Sequence, residues 1–324
     1  MKVKVFYHDK CFDGACSAAL FARFYQERIR EDVEFIFSGL LHRAGALFDE
    51  ADFTGDENAI VDFKYSSSPQ ITWWFDHHES AFLTPGDAEH FEQDQSNRKF
   101  YDPSFRSCTK FLATVAEQRF GFNPAPVAEV IEWADIIDGA LYPNATSAVE
   151  MREPAMKLTM VIENAQDPDF VPKLIGLLAK EPLASILEEP FVAPLLPPLM
   201  ERHQRSIGIM RERTEFKDGT IFFDVTDHDL EGYNKFIPYY LHPASIYSVG
   251  LSKSSFRTKV SVGSNPWAQD DRLVNLAKIC ERYGGGGHAR VGAISFDVKQ
   301  EEAARKAARD IVEELRTSVR NNGA

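Results

Sequence analysis

The sequence has little that would tie it to a membrane, an oxidising compartment or a nucleic-acid polymer. Its 324 residues include four cysteines, Cys11, Cys16, Cys108 and Cys280. They form no Cys-x-x-Cys pair and suggest no disulfide framework. No apolar run approaches the roughly 20 residues that span a bilayer. The nearest, Phe191 to Met200, is interrupted by Pro194, Pro197 and Pro198. The opening Met1-Lys-Val-Lys-Val-Phe-Tyr7 reads as a strand and lacks the apolar core and cleavage site of a signal peptide, so a cytoplasmic protein is expected. Cations are also in deficit: 36 Lys and Arg face 49 Asp and Glu, a net charge of −13. Long duplex DNA or RNA is therefore not an expected partner, because that affinity comes from neutralising many phosphates. A small phosphorylated substrate held by a few local cations remains compatible.

What is present describes an ordinary soluble chain with a real core, 44% hydrophobic and 26% charged. Its length predicts two domains, with a break near residue 213 giving 1–213 and 214–324. In the first, strands at Val3–Tyr7, Val33–Phe37, Asn58–Phe63 and Ile71–Phe75 alternate with helical stretches, which predicts an α/β fold with a parallel sheet. Residues 79–104 read as loop. Helices are expected over Ser107–Phe120 and Val127–Asp138, followed by a proline-chopped helical extension to Arg213. The second domain reads as α+β: strands at Thr220–Val225, Ile246–Leu251, Lys259–Val262 and Ala293–Val298, with helices over Arg272–Tyr283 and Glu301–Arg320.

Chemistry-bearing residues gather where the first-domain strands end. His8 closes the first strand, with Asp13 just before the helix; Asp62 closes the third; Asp76, His77 and His78 close the fourth. Strand alternation would send Asp76 and His78 to one face and His77 to the other. Asp135 and Asp138 lie where a helix gives way to a turn, and either could join them. Each residue alone has a plain structural role open to it, as a turn residue, strand-end cap or solvated helix face. Together, carboxylates at one sheet edge repel unless cations sit between them, and carboxylate mixed with imidazole suits Mn²⁺, Fe²⁺ or Zn²⁺. Two ions about 3.5–4 Å apart, bridged by one carboxylate, would form a clamp for attack at phosphorus.

Tyr7-His-Asp-Lys-Cys-Phe-Asp-Gly14, Val61-Asp-Phe63, Asp76-His-His78 and Gly284-Gly-Gly-Gly-His288 resemble, in order and spacing, the motifs of the DHH phosphoesterase superfamily. The likeness covers both domains and points to the DHH–DHHA1 branch of RecJ-like nucleases, nano-RNases and cyclic-dinucleotide phosphodiesterases. It implies that His8 and Asp13 bind one Mn²⁺ each, that Asp62 bridges, and that His77 and Asp135 complete the second site, with Asp138 competing for that place. It further implies that Asp76 orients its neighbours and that His78 faces the substrate phosphate. Most relatives carry Asp-x-Asp where this chain has Cys11-Phe-Asp13. Cys11 is thus either a soft ligand, shifting preference toward Zn²⁺ or Fe²⁺, or a small buried residue.

In the second domain four consecutive glycines need a reason. Gly284 would cap the preceding helix, while Gly285, Gly286 and Gly287 could turn backbone N–H groups toward a phosphate, with His288 and Arg290 adding donors. Arg257 falls where relatives often place a phosphate-binding arginine. Asp227-His228-Asp229 looks like a metal motif but reads as a polar turn. The expectation is a Mn²⁺-dependent phosphodiesterase acting on short oligonucleotides or dinucleotides, compatible with a homodimer. The rivals are an exopolyphosphatase or pyrophosphatase, and a degenerate binding protein without catalysis.

Overall fold

Short segments rich in aromatic and β-branched residues build the first sheet. In the computed structural model, which describes residues 1–42, 47–230, 232–268 and 273–322, these are β1 (Lys2–His8), β2 (Glu34–Leu40), β3 (Glu57–Val61), β4 (Ile71–Asp76) and β5 (Lys99–Tyr101), in the order β2-β1-β3-β4-β5. Every pairing is parallel, as the α/β reading requires. β5 and a helix at Pro85–Glu92 lie within the stretch read as loop. Their signal is weak because β5 has three residues and the helix buries none of its own.

Alternation along the strands loads both faces. Phe6, Ile60 and Trp74 pack on one side with Phe53, Phe63 and Tyr65. Trp73 and Phe75 face the other, where Phe21 lies 6.0 and 6.1 Å from their ring centres. Phe21 belongs to the helix Phe12–Arg28, which is buried along most of its length. Small residues such as Ala15, Ala18 and Ala19 let strands and other helices close around it. The strand order reverses direction between β1 and β3, the switch point at which open α/β sheets present ligands beyond their carboxyl ends.

The second sheet runs β10 (Gly286–His288), β11 (Val291–Phe296), β9 (Thr258–Ser264), β8 (Tyr247–Lys253), β7 (Thr220–Asp224) and β6 (Thr214–Lys217). Only β7 and β8 pair in parallel. The final helix, Glu301–Asn322, places Ala304, Ala308, Ile311 and Leu315 at helical spacing into a core with Val249, Leu251, Val260 and Ile294. The helix read from Arg272 spans Leu276–Glu281, and Arg272 lies outside the described residues.

By internal packing the chain divides into Met1–Tyr142 with Met151–Pro197, and Pro143–Glu150 with Pro198–Ala324. Most of the helix Leu196–Arg213 thus goes with the second unit. So does the strip 143–150, whose Val149 and Ala148 carbonyls accept hydrogen bonds from His203 Nε2 (2.7 Å) and Asn234 Nδ2 (2.7 Å). Among the described residues no helix is long and apolar enough to cross a membrane.

Candidate metal centre

Three strand ends and two helix ends converge beyond the carboxyl edge of the first sheet. His8 is the last residue of β1. The helix after it begins so close that a Cβ on Gly14 would lie 2.1 Å from the His8 carbonyl oxygen, so only glycine fits beside Asp13. Asp13 is buried, and its carboxylate accepts from the backbone N–H groups of Cys108 (2.6 Å) and Thr109 (3.0 Å) at the start of the helix Cys108–Phe120. The positive end of that helix therefore holds Asp13 in place. Asp62 follows β3 with a φ of +57°, a left-handed conformation that turns its buried side chain into the cluster.

The alternation expected for Asp76-His77-His78 does not hold. β4 ends at Asp76, whose Oδ1 accepts from the N–H groups of His77 (2.8 Å) and His78 (3.3 Å) and so bends the chain. Both rings consequently approach Asp62: His77 Nε2 lies 3.5 Å and His78 Nδ1 3.9 Å from its Oδ1. Asp76 Oδ1 also holds His78 Nδ1 at 2.7 Å. Phe105 O accepts from His77 Nδ1 at 3.2 Å, which leaves Nε2 for the centre of the cluster.

Around these atoms three ligand groups form: His8, Cys11 and Asp62; Asp62, His77 and His78; and Asp13, His77 and Asp138. Asp62 is common to the first two and His77 to the last two. His77 Nε2 stands 3.4 Å from Asp138 and 3.8 Å from Asp13, while His8 Nδ1 is 3.5 Å from Asp62. Asp135 is not brought into any of the groups; its Oδ1 accepts from Ser107 Oγ at 3.2 Å. Three residues farther along the helix, Asp138 occupies the place beside His77.

Electrostatics and hydrogen bonding both show what this cluster needs. Burial, then the carboxylates of Asp62 and Asp138, push the Asp13 carboxyl well above its ordinary range. Burial, then Asp62, carries Asp138 up to about 6. Burial alone would depress His77, but Asp62, Asp13 and Asp138 outweigh it and raise the imidazole to about 10. Burial opposes ionisation of Asp62, yet His77, His8 and His78 hold it below the usual carboxylate range. Burial, then Asp62, Asp13 and Asp138, drive the Cys11 thiol well up. His8 Nδ1, both Asp62 oxygens and His77 Nε2 are buried without a hydrogen-bond partner among the described residues. Such atoms are costly unless something binds them. A divalent cation fits this donor set of carboxylate, imidazole and thiol.

One neighbour escaped the sequence reading. His42 stacks on Phe63 at 4.7 Å and lies 5.1 Å from the His8 ring. β2 extends three residues past the expected Phe37, which is what carries His42 to this edge.

The glycine run and its companions lie in the second unit. Gly284 has a φ of +76° and closes the helix Leu276–Glu281, as expected of a cap. Gly286 and Gly287 do not curl into a free anion cradle; they form edge strand β10 with His288, opposite Ala293, Gly292 and Val291. Packing enforces this, since a Cβ on Gly285 or Gly287 would lie within 2.3 Å of a backbone oxygen on β11. Edge position leaves one side of the β10 backbone without strand partners. His288 and Arg290 are exposed on the same hairpin. Arg257 donates to Ser295 Oγ at 3.2 Å and lies over the exposed Phe256 ring. The Asp227-His228-Asp229 turn is pinned by Arg213, 2.6 Å from Asp227.

The fold is the one shared by solved DHH-family structures: a parallel five-stranded sheet with helices, and a second, mixed sheet with helices. Among solved structures, the chain is similar to the pGpG-specific phosphodiesterase PggH from Vibrio cholerae, at 18% identity and TM-score 0.65 over 99% of each chain. It is also similar to an exopolyphosphatase-related protein from Bacteroides fragilis, at 16% identity and TM-score 0.52 over 99% of this chain and 94% of the other. RecJ from Thermus thermophilus in complex with Mn²⁺ matches at 12% identity and TM-score 0.54, over 97% of this chain and 52% of RecJ. No family model matches the sequence, and no curated protein does.

Proposed function

We propose that this protein is a divalent-metal-dependent phosphodiesterase that hydrolyses short oligonucleotides or dinucleotides to mononucleotides. The observation that carries the reading is the set of buried, unpartnered ligand atoms on His8, Asp62 and His77, enclosed by carboxylates whose charges repel. Asp13, Asp62, His77 and Asp138 would hold one cation, and His8, Cys11 and Asp62 its neighbour, with Asp62 shared. Mn²⁺ is the cation proposed. When bound, such ions supply Lewis-acid stabilisation of phosphoryl oxygens and lower the pKa of water.

The chain's own groups do the rest. Asp76 orients the His78 ring through Nδ1, leaving Nε2 to donate to a substrate phosphate. Burial would lower the His78 pKa, but Asp76 and Asp62 raise it, which favours the cationic ring an anionic substrate needs. In the second unit, taken by itself, His288, Arg290, Arg257 and the open backbone edge of β10 are the groups proposed to bind phosphate. The pGpG-specific neighbour, similar over both units, supports a dinucleotide substrate.

The exopolyphosphatase-related neighbour keeps a second reading in view. Purified protein with Mn²⁺, given end-labelled pGpG in one arm and inorganic polyphosphate in the other, separates the two. Mononucleotide product from pGpG alone supports the proposal; phosphate release from polyphosphate alone replaces it with the second reading. Intact pGpG and polyphosphate at every Mn²⁺ concentration would leave a binding protein.

A further inference from the structure

At the opposite end of the Phe12–Arg28 helix from Asp13, the first unit has a groove of about 970 Å³ that shares no residue with the metal cluster. Its walls are the last turns of that helix, the turn after it, and the helix Phe170–Leu178. Its floor is Phe35 and Phe37, which share one face of edge strand β2. Their half-buried rings are stacked 6.2 Å apart with an interplanar angle of 15°.

The rim is cationic in a chain that is strongly acidic overall. Among the described lining residues, Arg23, Arg28, Arg30 and Lys180 outnumber the two carboxylates, Glu27 and Glu31. Arg23 neutralises Glu27 at 2.8 Å, and Arg28 reaches the Gly121 carbonyl. Among the described residues Arg30 and Lys180 form no ion pair, and both are exposed. Gly176 supplies a further sign. It sits inside a helix, where glycine costs roughly 0.5–1 kcal/mol relative to alanine. A Cβ there would meet nothing within 4 Å, so neither packing nor backbone conformation demands glycine. Its missing side chain leaves the groove wall open.

We propose that this groove is a second binding site, for a planar aromatic anion of the nucleoside-phosphate class. The base would lie on the Phe35–Phe37 floor and the phosphate would meet Arg30 and Lys180, combining stacking with charge-assisted hydrogen bonds. The volume falls within the approximately 300–1,000 Å³ typical of small-molecule pockets. The inference does not depend on the catalytic reading.

Equilibrium dialysis of the full-length, EDTA-treated protein against GMP, guanosine and inorganic phosphate tests it. GMP should bind saturably, with guanosine and phosphate each weaker by about tenfold or more, since each forfeits one half of the recognition. Arg30→Glu with Lys180→Glu, and separately Gly176→Leu, should each weaken GMP binding by about tenfold. The charge-reversed variant changes exposed side chains only, so it decides the matter if Gly176→Leu fails a thermal-melt check for folding. Failure of GMP to saturate at millimolar concentration, or unchanged affinity in the charge-reversed variant, overturns the proposal.

Discussion

Asp62 is the residue on which the site turns, because two ligand groups share it and, among the described residues, neither of its oxygens has a hydrogen-bond partner. Asp62→Asn should reduce the proposed phosphodiesterase activity by more than the ten- to roughly hundredfold typical of changes to residues that only orient ligands. Metal content by mass spectrometry should fall with it. Asp76→Asn, which touches His78 and the two backbone N–H groups, belongs in that range of about ten- to hundredfold. Asp138→Asn should lower Mn²⁺ affinity in a calorimetric titration, whereas Asp135→Asn should leave it close to the parent value. Cys11→Asp should shift preference from Zn²⁺ toward Mn²⁺ in a competition assay, since a hard carboxylate replaces a soft thiolate. The choice between Asp135 and Asp138 was not legible in the sequence. Three residues apart on a helix is nearly one turn, so both face roughly the same way; what separates them in the structure is the hydrogen bond from Ser107 to Asp135 and the 3.4 Å approach of Asp138 to His77 Nε2.

Regular elements were legible where burial gave them a period, and illegible where it did not. The four long strands of the first sheet and the final helix carry their pattern in Trp73, Phe75, Ile311 and Leu315. β5 and β6, at three and four residues, do not. β10 was hidden for a different reason. Its glycines look like a flexible loop, yet at Gly287, as at Gly285 just before the strand, β11 approaches too closely for a side chain, whereas a Cβ on Gly286 would meet no described atom within 4 Å. Gly284, by contrast, does the work its place after a helix announced. Gly284→Ala should cost about 1–2 kcal/mol, the penalty of a left-handed L-residue, and chemical denaturation would show it as a lower midpoint. Trp74→Ala, in the middle of β4 and fully buried, should cost about 3–5 kcal/mol by the same measurement.

For the whole molecule, the proposed metal site would make stability depend on metal. If the first unit binds Mn²⁺ at about a hundred times the dissociation constant, linkage adds about 2.7 kcal/mol. The corresponding rise in melting temperature is roughly 5–10 °C for a unit of this size. Calorimetry with Mn²⁺ and then with EDTA should show that difference in the parent and not in Asp62→Asn. The fold class and the order of its motifs were readable because each motif is local. The membership of Pro143–Glu150 was not, because its partners, His203 and Asn234, come from later in the chain. That strip has a consequence during synthesis. Val149 is made 54 residues before His203 and Ala148 86 residues before Asn234, so both carbonyls must wait for their partners, and the second unit cannot close until the chain has passed through the whole of the first.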